Sequence, residues 1–103
     1  MSPSTLERAV HLLSCMAHPV RLSVLSRLHD GGPAHVGALC AALEVEQSAL
    51  SHHLRLLRDA RLVVGERAGR RVVYRLHDEH VGCIVQDTLT HAAELDAHTD
   101  PVP

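Results

Sequence analysis

The chain contains no Trp and no Phe, and its one Tyr is Tyr74. A core without large aromatics must be filled by Leu, Val, Ala and Ile, which suits packed helices better than a β-sandwich. Base-stacking platforms of the RRM or OB type are excluded for the same reason. Lysine is also absent, so every cation is Arg. The three cysteines, Cys15, Cys40 and Cys83, are odd in number and widely spaced, with no CxC or CxxC pair. They encode neither a disulfide framework nor a zinc knuckle, and they fit a reducing compartment. No apolar run approaches the roughly 18 residues of a membrane span, and the N-terminus lacks a signal-peptide pattern, so a soluble, cytoplasmic protein is expected. Gly-rich phosphate loops, nucleophile elbows and HExxH helices are missing too, which argues against an enzyme. A chain of 103 residues has room for one domain, spanning residues 1–103.

What is present is divided along the chain. Between His52 and Leu76 stand seven arginines (55, 58, 61, 67, 70, 71 and 75) against Asp59 and Glu66, whereas His77 onward carries six acids and no arginine. A basic middle suits a polyanion; an acidic tail with His77, His80, His91 and His98 suits a cation.

The hydrophobic spacing predicts five helices and a hairpin. Ser4 and Glu7 read as a capping box for a first helix over about Thr5 to Ala17, with Leu6, Val10 and Leu13 on one stripe. Pro19 opens a second helix whose Val20, Leu22, Val24, Leu25 and Leu28 face the core, and Gly31-Gly32-Pro33 ends it. A short third helix runs from about Val36 to Leu43, in which Cys40 serves as a small core hydrophobe. A fourth, Gln47 to Ala60, turns Leu50, Leu54 and Leu57 inward and Ser48, Ser51, His52, Arg55, Arg58 and Asp59 outward. The β-branched runs 62–66 and 71–76 flank Arg67-Ala68-Gly69-Arg70 as a hairpin with an arginine-rich tip. The last helix, about Asp78 to Asp96, is apolar on more than one face, which implies packing against a second copy.

The fold class expected is thus mainly α with a small β-hairpin: a homodimeric winged helix-turn-helix with N-terminal and C-terminal dimerisation helices. In this arrangement the fourth helix enters the major groove and the wing reaches the DNA backbone or minor groove. Gln47, Ser48, Ser51, His52 and Arg55 are the candidates for base edges or phosphates, and Arg67, Arg70 and Arg71 for phosphates. A lone arginine is usually a solvated charge; seven on one helix and one hairpin favour DNA.

Three stretches carry a family resemblance over nearly the whole chain: Met16-Ala17-His18-Pro19-Val20-Arg21-Leu22, Glu46-Gln47-Ser48-Ala49-Leu50-Ser51-His52-His53-Leu54-Arg55, and Gly65-Glu66-Arg67-Ala68-Gly69-Arg70-Arg71-Val72-Val73-Tyr74. Together they resemble the ArsR/SmtB family of winged-helix repressors. The resemblance implies a dimer that represses metal-resistance or metal-transport genes and leaves operator DNA when metal binds. It further implies a metal site, since Asp78, His80, His91 and Glu94 are similar in spacing to the interfacial site of the family's zinc sensors. Carboxylates and imidazoles suit divalent transition metals, zinc first and nickel or cobalt as alternatives. On a helix, residues 80 and 91 lie roughly 16 Å apart, far beyond one metal's reach, so two antiparallel copies are needed to close the site. Asp96 and His98 are candidate extra ligands that would permit octahedral nickel or cobalt. In the resemblance, His91 passes the signal to the backbone near Arg61. His35 and Gly37 stand where arsenic- and cadmium-type members place cysteines, so that thiolate site is not expected. Asp78 read alone is a helix cap and His91 a surface residue. The remaining alternative is a thiol-responsive or metal-independent winged-helix repressor, using Cys15, Cys40 or Cys83.

Overall fold

A computed structural model describes residues 1–97. The elements follow the order α1 (Pro3–Met16), α2 (Pro19–Gly31), β1 (Ala34–His35), α3 (Val36–Leu43), α4 (Gln47–Asp59), β2 (Val63–Ala68), β3 (Arg71–Leu76) and α5 (Glu79–Ala97). The mainly helical winged helix-turn-helix expected from the sequence is what the chain adopts, with α3 and α4 as the paired helices and β2 and β3 as the wing.

Helix starts follow local chemistry. The cap of α1 is Ser2 rather than Ser4: Ser2 Oγ accepts from the Thr5 amide at 3.2 Å, and Pro3 takes the first helical position. Proline is preorganised there and lacks the amide that would go unsatisfied, so the helix begins two residues earlier than the capping-box reading placed it. His18 caps α2 through Nδ1, which accepts from Val20 at 3.1 Å, again with proline next. Gly32, at φ 77°, ends α2 in a conformation that costs other residues more.

The wing is a two-residue hairpin. Ala68 pairs with Arg71, leaving Gly69 and Arg70 as the turn, with Gly69 at φ 66°. A glycine of positive φ at the first turn position matches the twist of the strands. Arg67 and Arg71 therefore lie in the strands and only Arg70 at the tip, a narrower turn than the four residues expected. A third strand was not anticipated: β1 pairs antiparallel with β3, Ala34 with Tyr74 and His35 with Val73. Two residues are too few to show an alternation, so only the partner strand reveals it.

One cluster joins the elements. Met16, Val24, Leu25, Leu28, Leu39, Leu50, Leu54, Leu57, Leu62, Val63, Val81 and Val85 are buried, and Cys40 and Tyr74 pack against them. Each fully buried Leu or Val contributes about 1.5–3 kcal/mol relative to exposure. Helix α5 closes on α2 through Gly82, where a Cβ would collide with the His29 ring. The His77 amide donates to the Leu62 carbonyl at 3.0 Å, fastening the base of α5 to the segment that leaves α4. The stripe of α1 stays outside: Leu6, Val10 and Leu13 are exposed, as are Ile84 and Leu95 of α5.

Candidate functional site

Helix α4 presents Gln47, Ser48, Ser51, His52 and Arg55 on its exposed face, while Leu50, Leu54 and Leu57 anchor the opposite face. Spacing of three and four residues separates the faces, so core packing itself orients the polar side. Ser48 Oγ donates to Glu46 Oε1 at 2.8 Å, which holds it beside the helix start. In the wing, Arg67, Arg70 and Arg71 are exposed. Arg75 is committed elsewhere, since its Nη2 and Nε both donate to Glu66 Oε1, at 2.8 and 3.0 Å. Arg71 Nη1 lies 3.1 Å from His35 Nε2, a link across 36 residues for which the sequence carried no signal.

A second group unforeseen from sequence lies where α2 meets α4. His53 stacks on His18 with centroids 4.4 Å apart, and Arg21 Nη1 donates to His53 Nδ1 at 3.3 Å. Arg21 Nε also donates to the Cys15 carbonyl at 2.6 Å, tying α1, α2 and α4 together. Burial, followed by the charges of His18, Arg21 and His52, holds His53 below its ordinary 6.5. The unfolded chain therefore takes up this proton first as pH falls, so the stability supplied by neutral His53 is complete above 6.5 and lost as acidification passes its folded value. Melting temperatures at about pH 7.5 and about pH 5.5 should differ less in His53→Gln than in the wild type, and an equal drop in both would refute this assignment.

The candidate metal residues form two separate pairs on and before α5. Asp78 Oδ1 accepts from the Val81 amide at 3.2 Å, so Asp78 caps α5, and it lies 3.5 Å from His80 Nδ1. The hydrogen bond from His77, then that from Val81, holds the Asp78 carboxyl below the usual carboxylate range. Further along, His91 Nδ1 lies 4.0 Å from Glu94 Oε2. Side chains of His80 and His91 are 92% and 73% exposed, open to an added ligand. Among the described residues, no three His, Cys, Asp or Glu side chains of one chain gather to hold a metal. Asp96 lies within α5; His98 falls outside the described residues.

Between α1, the end of α4 and the start of α5 opens a cavity of about 770 Å³. Apolar Leu12, Leu13 and Ile84 line it beside Arg61, Asp78 and His80, so one of the two pairs faces the groove left by the uncovered helix stripes. Of the cysteines, Cys83 is exposed, and Cys15 Sγ lies 3.6 Å from His11 Nε2.

A helix-turn-helix domain family model matches residues 16–66. The transcriptional regulator NmtR of Mycobacterium tuberculosis is 46% identical over 83 residues, covering 81% of this chain and 68% of NmtR. The chain belongs to the ArsR/SmtB family. It is accordingly a helix-turn-helix transcription regulator and not an enzyme. The family repressor SmtB of M. tuberculosis is 43% identical over 89 residues, covering 86% of this chain and 65% of SmtB, so the chain spans about two thirds of the length of these relatives. Among solved structures, the homodimeric winged helix-turn-helix domain Mb0332 of Mycobacterium bovis superposes with a TM-score of 0.84 at 25% identity, covering 99% of this chain and 97% of that domain. No helix among the described residues is long and apolar enough to cross a membrane.

Proposed function

We infer that the chain is a metal-responsive transcriptional repressor, which binds operator DNA as a metal-free homodimer and leaves it when a divalent transition metal bridges the two α5 helices. The observation that carries the DNA half is the exposed polar face of α4 beside a wing whose Arg67 and Arg70 make no ion pair among the described residues. Gln47, Ser48, Ser51, His52 and Arg55 read base edges or adjacent phosphates, and Arg67, Arg70 and Arg71 hold the backbone. The second copy covers the α1 and α5 stripes, as the homodimeric solved relative encourages.

Supporting the metal half is the donor set. Asp78 and His80 supply a carboxylate and an imidazole at one end of α5, and His91 and Glu94 supply the same pair at the other. Antiparallel α5 helices unite the two kinds of pair, giving two four-donor sites per dimer that fit tetrahedral zinc, with nickel or cobalt as the alternatives if Asp96 or His98 adds donors. His91 of the second copy then enters the cavity that contains Arg61, the route by which the resemblance passes the signal to the end of α4.

The test is fluorescence anisotropy at fixed salt with a duplex selected from a random pool, with and without zinc, nickel or cobalt. At least one metal should weaken binding by about 5- to 150-fold, the usual range of allosteric coupling. Unchanged binding with every metal overturns the metal half and leaves a DNA-binding regulator for which the cysteines become the candidate sensors.

A further inference from the structure

His35 ends β1 and caps α3. Its Nδ1 accepts from the Ala38 amide at 3.2 Å, one of the first-turn amides that the helix itself leaves without an acceptor. Gly37 leaves room for the ring to fold back over the helix start: a Cβ there would lie 3.2 Å from ring atoms Nδ1 and Cε1, a tight contact. On its other side, Nε2 faces Arg71 Nη1 at 3.1 Å.

These contacts make incompatible demands on one ring. A neutral imidazole accepts at one nitrogen and donates at the other, and a guanidinium only donates. The Ala38 amide is fixed by the helix, whereas the Arg71 side chain is exposed and adjustable. Nδ1 is therefore the acceptor, and Nε2 carries the hydrogen. That hydrogen points at a second donor. Protonating the ring leaves Nε2–H in place and adds a like charge, so neither state supplies an acceptor between the two groups.

We propose that His35 and Arg71 form a clamp for one phosphate oxyanion, and that its ligand is a backbone phosphate of the duplex. This rests on the DNA-binding reading and adds to it a residue outside α4 and the wing. An oxyanion supplies the acceptor that both donors lack, with Arg71 moving outward to admit it. The site lies at the positive end of α3, the first helix of the helix-turn-helix, which in such motifs crosses the DNA backbone. One donor is neutral and the other charged, which gives the clamp a distinctive salt signature.

The experiment measures affinity for a random-sequence duplex against salt concentration. Arg71→Gln should weaken binding and reduce the slope of log affinity against log salt by about one, the share of one neutralised phosphate. His35→Asn keeps an oxygen to cap the Ala38 amide, so it should weaken binding about three- to tenfold with the slope unchanged. The double variant should lose less than the product of the two single losses, because both groups serve one phosphate. Inorganic phosphate against chloride at equal ionic strength separates the sources. Selective competition by phosphate in the wild type, lost in the double variant, supports the oxyanion site and extends its ligand to the free ion. Equal effects of the two salts, with the variant losses intact, support the duplex phosphate. Variants that bind the duplex like the wild type overturn the clamp alone, whereas a wild type that binds no duplex at low salt overturns the DNA reading as well. Long-range ¹H–¹⁵N correlation on the wild type needs no variant: Nε2 should carry the hydrogen, and an Nδ1–H tautomer overturns the proposal.

Discussion

Replacing Leu13 and Ile84 together by Asp should turn the proposed dimer into a monomer and lower operator affinity by about 10²- to 10⁴-fold, the advantage that two linked half-sites give over one. Leu13 is 56% and Ile84 42% exposed, and both line the groove between α1 and α5. Neither belongs to the chain's own buried core, so the substitutions should leave the melting curve of the separated chain cooperative. A charge on each of these surfaces would have to be desolvated in a dimer, which opposes association more strongly than loss of the apolar contact alone. Sedimentation equilibrium reports the mass, and anisotropy reports the affinity. A double variant that still sediments as a dimer shows that the second copy docks elsewhere, and a monomer with wild-type affinity shows that dimerisation is irrelevant to DNA binding.

The second large effect concerns the response rather than the binding. His80→Ala/His91→Ala should bind DNA within about twofold of the metal-free wild type, because neither residue lies on α4 or the wing, while metal-induced weakening of about 5- to 150-fold falls to near unity. Removing both imidazoles leaves two carboxylates per site, a poor set for zinc. Calorimetric titration should show the matching loss of tight metal binding. In parallel, Cys15→Ser/Cys40→Ser/Cys83→Ser should respond to metal as the wild type does. If the double-His variant still releases DNA normally and the triple-Ser variant does not, the sensor is a thiol.

Much of this architecture was readable because its signals are local. Pro19, the Gly31-Gly32-Pro33 stop and the inward leucines of α4 each act within a turn of chain, and those elements lie where the spacing put them. Ser2 and Ser4 show the limit of such reading. Both offer a capping hydroxyl, and the proline between them decides which is used, through the position it occupies rather than through any hydrogen bond. Long-range pairings were out of reach. Nothing near His35 announces that Arg71 will lie beside it, and β1 exists only because β3 does. For the candidate site, the polar face of α4 followed from helical period alone, and its residues are all exposed. Of the candidate metal residues, His91 and Glu94 lie together as a spacing of three on one helix implies, whereas Asp78 reaches His80 only because it caps α5 from outside the first turn. The cluster of His18, Arg21 and His53 was missed because it joins residues from two helices and offers no periodic pattern.

The bond from His77 to Leu62, together with Val81, Gly82 and Val85 packed on the core, anchors the first half of α5 and leaves its far end exposed. Its 19 residues extend about 28 Å. A sideways shift of about 2 Å at the far end turns such a helix by only about 4°, and the same rotation moves a group about 10 Å from the root by less than about 1 Å. Gearing of this kind reduces a movement at the exposed end to a finer adjustment near the foot of α4. Sub-ångström displacement is the scale on which hydrogen bonds to base edges are made or lost, so in the proposed metal response a swing of about 2 Å at the end of α5 is enough to disturb them.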